Sequence, residues 1–448
     1  MSDSSASEPP GILSRVLQKI APIEAHEVRA VVLGFLYFFF LLGSYYIIRP
    51  VRDAMGTSYG PTPADLSQLY TGTFIGTLIF APLFALAANR IKLQLLLPWV
   101  YGFIAITLVG FYLLFQTVTQ DRWIAAGFYV WVSVFNMIIT SVFWSFMADL
   151  FSRTQAKRLY GIVAAGGSAG AVAGPAITGL LVKIVGTNTL LLIAAAGFTL
   201  TIGVVLLLIR EKERLRLTGD DPQKTTLNHA LVGHPFKGFG LLAKSPYLLG
   251  IAAFVLLMTW VSTILYFMQQ DLVSKLFETR EARTQAFAMV ELVVSVLTIV
   301  IQIFGTGRLV ARFGVTTGLM LNPLLMVGGF VGVAVMPVLL LAVLVVRRVS
   351  EYGVARPSRE MLFTVVDQES KYKAKNVIDT VVYRGGDFTA AWMQTALSFL
   401  GLRAAGVAIF GVAVCGLWAW IALRLGRRYE NVTGDHRAAT LARTAAAE

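Results

Sequence analysis

Charge is what this chain has least of. Only 14% of its 448 residues are Asp, Glu, Lys or Arg, against about 25% in soluble proteins. With 56% hydrophobic residues and a mean hydropathy of +0.70, an ordinary soluble domain is excluded. There is one cysteine, Cys415, inside an apolar run, which rules out a disulfide framework and a cysteine metal site and leaves a packing role. The four histidines form no metal-ligand cluster, and no stretch reads G-x-x-x-x-G-K-[ST], the phosphate-binding loop of ATP-driven pumps. No metal, cofactor or enzymatic activity is expected. The opening "MSDSSASEPP" lacks the basic start and apolar core of a signal peptide, so the first apolar helix is expected to direct insertion.

Apolar length is what the chain has in abundance. A hydrocarbon core about 30 Å thick takes roughly 20 residues of helix. Windows of that kind recur at 31–51, 66–89, 95–115, 123–148, 161–183, 189–209, 246–268, 284–304, 315–335, 337–355, 377–399 and 404–424. None shows the alternation of barrel strands, and only helices or closed barrels satisfy backbone polar groups in lipid. The expectation is an all-α polytopic membrane protein with twelve spans in the lipid bilayer.

A net charge of +13 would suit a nucleic-acid partner, but most of the 38 Lys and Arg fall in the termini and the even-to-odd loops. By the positive-inside rule that is a topology signal: both termini are cytosolic and no nucleic-acid partner is expected. The longest polar stretch, residues 210–238, divides the chain. It predicts an N-terminal segment 1–30 with an amphipathic surface helix, a six-helix half over 31–210, a cytosolic linker over 211–244, a second half over 245–425 and a cytosolic tail over 426–448. Two such halves are the plan of the major facilitator fold, with the solute site between them near mid-membrane. That fold needs no second copy to form its cavity, so a monomer is expected. "GTGRLVARFGVTTG", residues 305–318, resembles the glycine–arginine–glycine loops of that fold, with Arg308 and Arg312 as anchors.

Charges at the edges of apolar runs need an explanation. One costs roughly 2.5–3.5 kcal/mol at the centre of a span and less near its ends. In "YYIIRPVRDAMG", residues 45–56, Arg49 and Arg52 are three apart and Asp53 points elsewhere. If the span ends near Tyr46, the arginines are interfacial anchors. If the helix continues through Pro50, they face a cavity, where Tyr45 and Tyr46 can stack on a solute. Residues 347–392 form the second cluster. Lys371, Lys375 and Asp379 recur every four residues with Tyr383 continuing the face, and Arg384 and Asp387 are three apart. Lys371, Lys373 and Lys375 read as cytosolic anchors. Asp379, Arg384 and Asp387 read either as gate salt bridges or as a solute site, and Arg356, Arg359 and Glu360 join the gate candidates. Glu291, alone in its span, is either a structural glutamate or a proton carrier. Asp149 and Arg153, four apart, read as a local pair near a gate. In "GIVAAGGSAGAVAGPAITG", residues 161–179, Gly166, Gly170, Gly174 and Pro175 predict close helix packing or a hinge.

Three stretches together resemble the nucleotide transporter family, the ATP:ADP antiporters, and especially its free-living bacterial branch within the major facilitator superfamily. They are "YYIIRPVRD", "FWSFMADLFSRTQAKRLYG" and "SREMLFTVVDQESKYKAKNVIDTVVYRGGD". The resemblance implies exchange of a nucleoside triphosphate for a diphosphate or phosphate. It also implies that a basic residue at Arg52 contacts the solute, with a second at Lys375 or Arg384. The chain departs from the antiporters where they carry acidic residues in helices four and seven, having Trp131 or Val132 and Tyr266 or Phe267 there. Gln269 and Gln270 stand where a lysine is expected.

An arginine-lined cavity favours a polyvalent anion, because guanidinium pairs bidentately with phosphate or carboxylate. The expected function is secondary transport of a small anionic, phosphorylated organic solute such as a nucleotide, in a bacterial inner membrane. Two alternatives stand beside it: a proton-coupled transporter of a neutral or amphipathic compound, and a membrane sensor or assembly factor that moves nothing.

Overall fold

The computed structural model describes residues 24, 26–60, 62–118, 122–217, 237–402 and 404–445. The expected surface helix and most of the linker lie outside them. Among the described residues all regular structure is helical. The first part of the chain gives α1 (Val28–Tyr59), α2 (Pro63–Arg90), α3 (Leu93–Thr117), α4 (Arg122–Leu150), α5 (Arg153–Val185) and α6 (Thr189–Leu217). The second gives α7 (Lys237–Lys244), α8 (Pro246–Leu276), α9 (Arg280–Ile301), α10 (Gly307–Val335), α11 (Leu340–Ser350), α12 (Arg356–Met361), α13 (Gln368–Val377), α14 (Tyr383–Phe399) and α15 (Ala404–Ala445). Eight stretches among the described residues are long and apolar enough to cross a membrane.

Local sequence explains the boundaries. Thr62 and Asp65 form a reciprocal cap at the start of α2, with Pro63 in the first turn. Ser152 and Gln155 do the same for α5, and Gly186, at φ +80°, follows its end. The apolar run from Arg280 to Val335 is a single 56-residue stretch by composition, but its backbone breaks at Gly314, where φ is +81°. The Glu430 carboxylate accepts the Thr316 N–H released there, at 3.2 Å. That is the turn expected within residues 305–318. Helices α6 and α15 outrun their apolar windows, because "REKERLRL" and the Ala- and Arg-rich tail are strong helix formers in water as well.

The apolar side chains pack into two main cores, one from Ala30 to Leu208 and the other from Leu242 to Leu425. Glycines set the first. A Cβ on Gly166, Gly170 or Gly174 would lie 2.2, 2.4 or 2.6 Å from the carbonyl oxygens of Phe35, Phe39 and Gly43. Glycines four apart on α5 therefore meet carbonyls four apart on α1, at a separation no other residue permits. This is the packing role read for 161–179. Cys415 is fully buried in the second core. Helix α1 runs unbroken through Pro50, which settles the alternative posed by Arg49 and Arg52 in favour of the longer helix.

Candidate functional site

Between the two cores lies a cavity of about 1010 Å³. From α1 it is lined by Tyr45, Tyr46, Arg49, Arg52 and Asp53. Asp53 does not point away from its neighbours, as helical spacing alone suggested. The long Arg52 side chain curls back to it, donating from Nη2 at 2.6 Å and from Nε at 3.0 Å. The Tyr266 hydroxyl of α8 donates to the same carboxylate oxygen at 2.9 Å. Arg52 also reaches the Ser133 hydroxyl at 3.4 Å and lies over the Tyr129 ring, 5.1 Å from its centre.

Glu291 is alone in its helix but not in space. Both terminal nitrogens of Arg348 donate to its carboxylate, one of them at 2.7 Å, and Arg49 Nε approaches at 3.4 Å. The group ties α1, α9 and α11 together and is buried, Glu291 being 2% exposed. Beside it, Arg347 donates to Glu351 at 2.6 Å and Arg356 Nε lies 3.4 Å from the same carboxylate. The guanidiniums of Arg356 and Arg348 sit 4.6 and 5.8 Å from the centre of the Tyr352 ring.

On the far wall, Arg384 approaches Asp387 at 3.5 Å and donates to the Ser133 carbonyl of α4 at 3.2 Å, while Thr263 donates to Asp387 at 3.4 Å. Tyr383 lines the cavity nearby. The expected Lys375 and Asp379 face is organised by Arg359, which bridges Glu360 at 3.0 Å and Asp379 at 3.2 Å. Lys375 binds the other Glu360 oxygen. Burial pushes the Glu360 carboxyl up, but the hydrogen bonds from Lys375 and Arg359 outweigh it and hold the group below the usual carboxylate range. Arg359 and Asp379 line the cavity, whereas Glu360 and Lys375 are not among the lining residues.

The other gate candidates lie elsewhere. Asp149 approaches Lys212 of α6 at 3.9 Å; the Arg153 side chain, and with it the expected pair, lies outside the described residues. Arg308 donates to the Phe304 carbonyl and Arg312 rests on the Phe313 ring, and neither lines the cavity.

Several lining residues were not singled out from sequence: Arg347, Arg348, Tyr352, Tyr70 and Tyr129. A signal was available, because Arg348, Tyr352 and Arg356 are four apart and fall on one helix face. At the departures from the antiporters, Tyr266 and Gln269 line the cavity and Trp131 packs against Phe111 and Phe135. The Gln270 amide is buried with neither its nitrogen nor its oxygen partnered. Among the lining residues, seven arginines face four carboxylates, with seven tyrosines interspersed. Such a chamber attracts anions and offers rings to stack on.

Residues 33–357 match the Major Facilitator Superfamily. The chain belongs to that family. As a major facilitator it is a polytopic membrane transporter, and its relatives are carriers, not enzymes. It is 22% identical to ADP,ATP carrier protein 1 of Chlamydia muridarum, over 95% of this chain and 93% of that one. The protein of the same name in Chlamydia pneumoniae is 22% identical over 91% and 93%. These similarities match the resemblance read from the three motifs. Among solved structures, the fold is similar to a bacterial homologue of the iron transporter ferroportin in an inward-facing state (TM-score 0.62, 13% identity, 90% of this chain and 98% of that one). It is also similar to the nucleoside transporter NupG (TM-score 0.54, 14% identity, 91% and 99%).

Proposed function

We propose that this major facilitator is a secondary transporter of a small anionic, phosphorylated organic solute, of which a nucleotide is the leading example. The observation that carries the reading is the excess of arginines over carboxylates around one aromatic-walled cavity. Guanidinium forks match phosphate oxygens, and the tyrosines offer faces to a ring. Similarity to the Chlamydia ADP,ATP carriers supports the same class. In this reading Glu291 is a counter-ion to Arg49 and Arg348, not a proton carrier.

The proposed architecture is twelve spans in two six-helix halves. The 56-residue run counts as two spans because Gly314 breaks it, and α2, the run Pro337–Ala355 built on α11 and the run Ile378–Phe399 built on α14 supply the remaining three. Both termini are cytosolic, the membrane is the bacterial inner membrane, and the unit is a monomer. The lining reaches Phe38, Trp144 and Arg359 on the side of the chain ends. Ser67 with Thr395, Arg283 with Thr57, and Thr187 with Glu281 join the halves on the other side. The conformation is therefore read as open to the cytosol.

The test is thermal stabilisation of the detergent-purified protein across ATP, ADP, AMP, sugar phosphates, carboxylates and neutral nucleosides. A native-state ligand at 100 times its Kd adds about 2.7 kcal/mol. Stabilisation by phosphorylated compounds and not by neutral ones is expected; stabilisation by neutral compounds alone overturns the reading.

A further inference from the structure

The ionic groups around the cavity fall into four sets, and three of them balance. Arg52 is matched by Asp53, Arg384 by Asp387, and Arg359 with Lys375 by Glu360 with Asp379. The fourth does not. Among the described residues, Arg49, Arg347, Arg348 and Arg356 share only Glu291 and Glu351, which leaves two positive charges without a counter-charge there. Buried or cavity-facing charge demands a partner.

Free donors lie in the same place. Arg49 and Arg356 approach their carboxylates no closer than 3.4 Å, through Nε, and neither Nε has a hydrogen-bond partner; no hydrogen bond from their terminal nitrogens is made among the described residues. The Arg356 side chain is 42% exposed and faces the cavity. By contrast, Arg52 spends two nitrogens on Asp53 and the third on Ser133. The helix also opens here. Tyr352 belongs to a π-helical turn, Glu351–Ala355, and presents its ring between Arg348 and Arg356; turns of this kind recur at functional sites.

We infer that Arg49 and Arg356, beside Tyr352 and in front of the Arg348–Glu291 pair, form the seat of a dianionic phosphate group, and that Arg52 is a structural partner of Asp53 and not the solute's main contact. The inference rests on the anion reading above and narrows it. The solute carries a phosphate ester or diphosphate, because a monocarboxylate leaves one of the two excess charges unmatched. Two guanidinium forks with free terminal nitrogens suit the several oxygens of a phosphate better than the two of a carboxylate.

The test is equilibrium binding of AMP, adenosine, acetate and inorganic pyrophosphate to the purified full chain, in the wild type, Arg356→Gln, Arg356→Lys and Arg384→Gln. Pyrophosphate has no ring, so it reports on the seat alone. Wild type is expected to bind AMP and pyrophosphate more tightly than adenosine or acetate. Arg356→Gln should weaken both phosphates about tenfold or more, the loss expected for a charge-assisted hydrogen-bonded fork. Arg356→Lys should recover part of that, and Arg384→Gln should cost less than about threefold. The ligand-free melting temperature of Arg356→Gln confirms that the variant is folded. If wild type binds neither phosphate, the anion reading falls and the seat with it. If it binds them and Arg356→Gln binds equally well, or Arg384→Gln loses as much, the seat is overturned and the anion reading stands.

Discussion

Helices α1 and α5 meet through a ladder of glycines against carbonyls. The helices across the cavity instead leave α geometry for one turn each, at Gln302–Thr306, Glu351–Ala355 and Ile378–Val382. All three π turns contribute to the cavity wall: Gln302 from the first, Tyr352 from the second, Asp379 and Thr380 from the third. Charge is divided in the same way. Five of the seven lining arginines come from α11, α12 and α14, and only Arg49 and Arg52 come from α1. One side is built as a close-packed rail, where a single methyl group does not fit. The other carries most of the chemistry, on helices that give up regular hydrogen bonding to aim side chains inward.

The sharpest break in that comparison is Glu291→Ala. It leaves the Arg348 guanidinium, on a residue 6% exposed, without its carboxylate, and should cost about 3–5 kcal/mol in thermal or denaturant unfolding. Adding Arg348→Met should recover most of the loss, whereas an unchanged single variant means the clamp does not hold the second core to α1. Next is the rail. Gly170→Ala places a Cβ 2.4 Å from the Phe39 carbonyl oxygen and should cost about 1–3 kcal/mol. Gly203→Ala, with nothing within 4 Å, should be neutral or slightly stabilising because alanine favours helix. Equal effects at the two positions would erase the distinction. Gln270→Met removes a buried amide without partners and should raise stability by about 1 kcal/mol.

The smallest effect is expected at the Glu360–Lys375 pair, whose side chains are 44% and 33% exposed. Lys375→Met should cost under about 1 kcal/mol. Because the Glu360 carboxyl is held below its unfolded value of about 4.3, its contribution is complete above that pH and is lost as pH falls through the lower folded value. The stability difference between wild type and Lys375→Met should therefore be constant from pH 7 to 5 and shrink in more acidic solution. A difference that grows with acid is the opposite result.

The fold class was largely legible because the membrane imposes it: length of apolar run and glycine punctuation report the same constraint, and Gly314 falls between the windows ending at 304 and beginning at 315. The residues of the cavity wall were legible where charge interrupts hydrocarbon, as at Arg49, Arg52, Arg384 and Asp387. What sequence did not reveal was pairing. Glu291 looks solitary along the chain because its partners are 57 residues ahead and on the first helix. Arg52 and Asp53 look divergent because helical spacing describes Cβ directions and not the reach of an arginine. The Arg348–Tyr352–Arg356 face was hidden by its position at the end of an apolar window, where arginines usually serve as anchors.

One feature of the cavity bears on the membrane more than on the solute. Its floor is closed by the Asp53–Tyr266 and Arg384–Ser133 bonds, and behind these Tyr59, Leu66, Leu69, Tyr129, Phe267 and Ala391 pack into a small apolar cluster of their own. A transmembrane potential delivers about 2.3 kcal/mol per elementary charge for each 100 mV, and within a water-filled chamber that drop concentrates across whatever is dry. In the cytosol-open conformation proposed above, it falls across this apolar cluster. That cluster is thus the expected electrical insulator of the proposed conformation, and any substitution that wets it should show first as ion leak, before solute movement is altered.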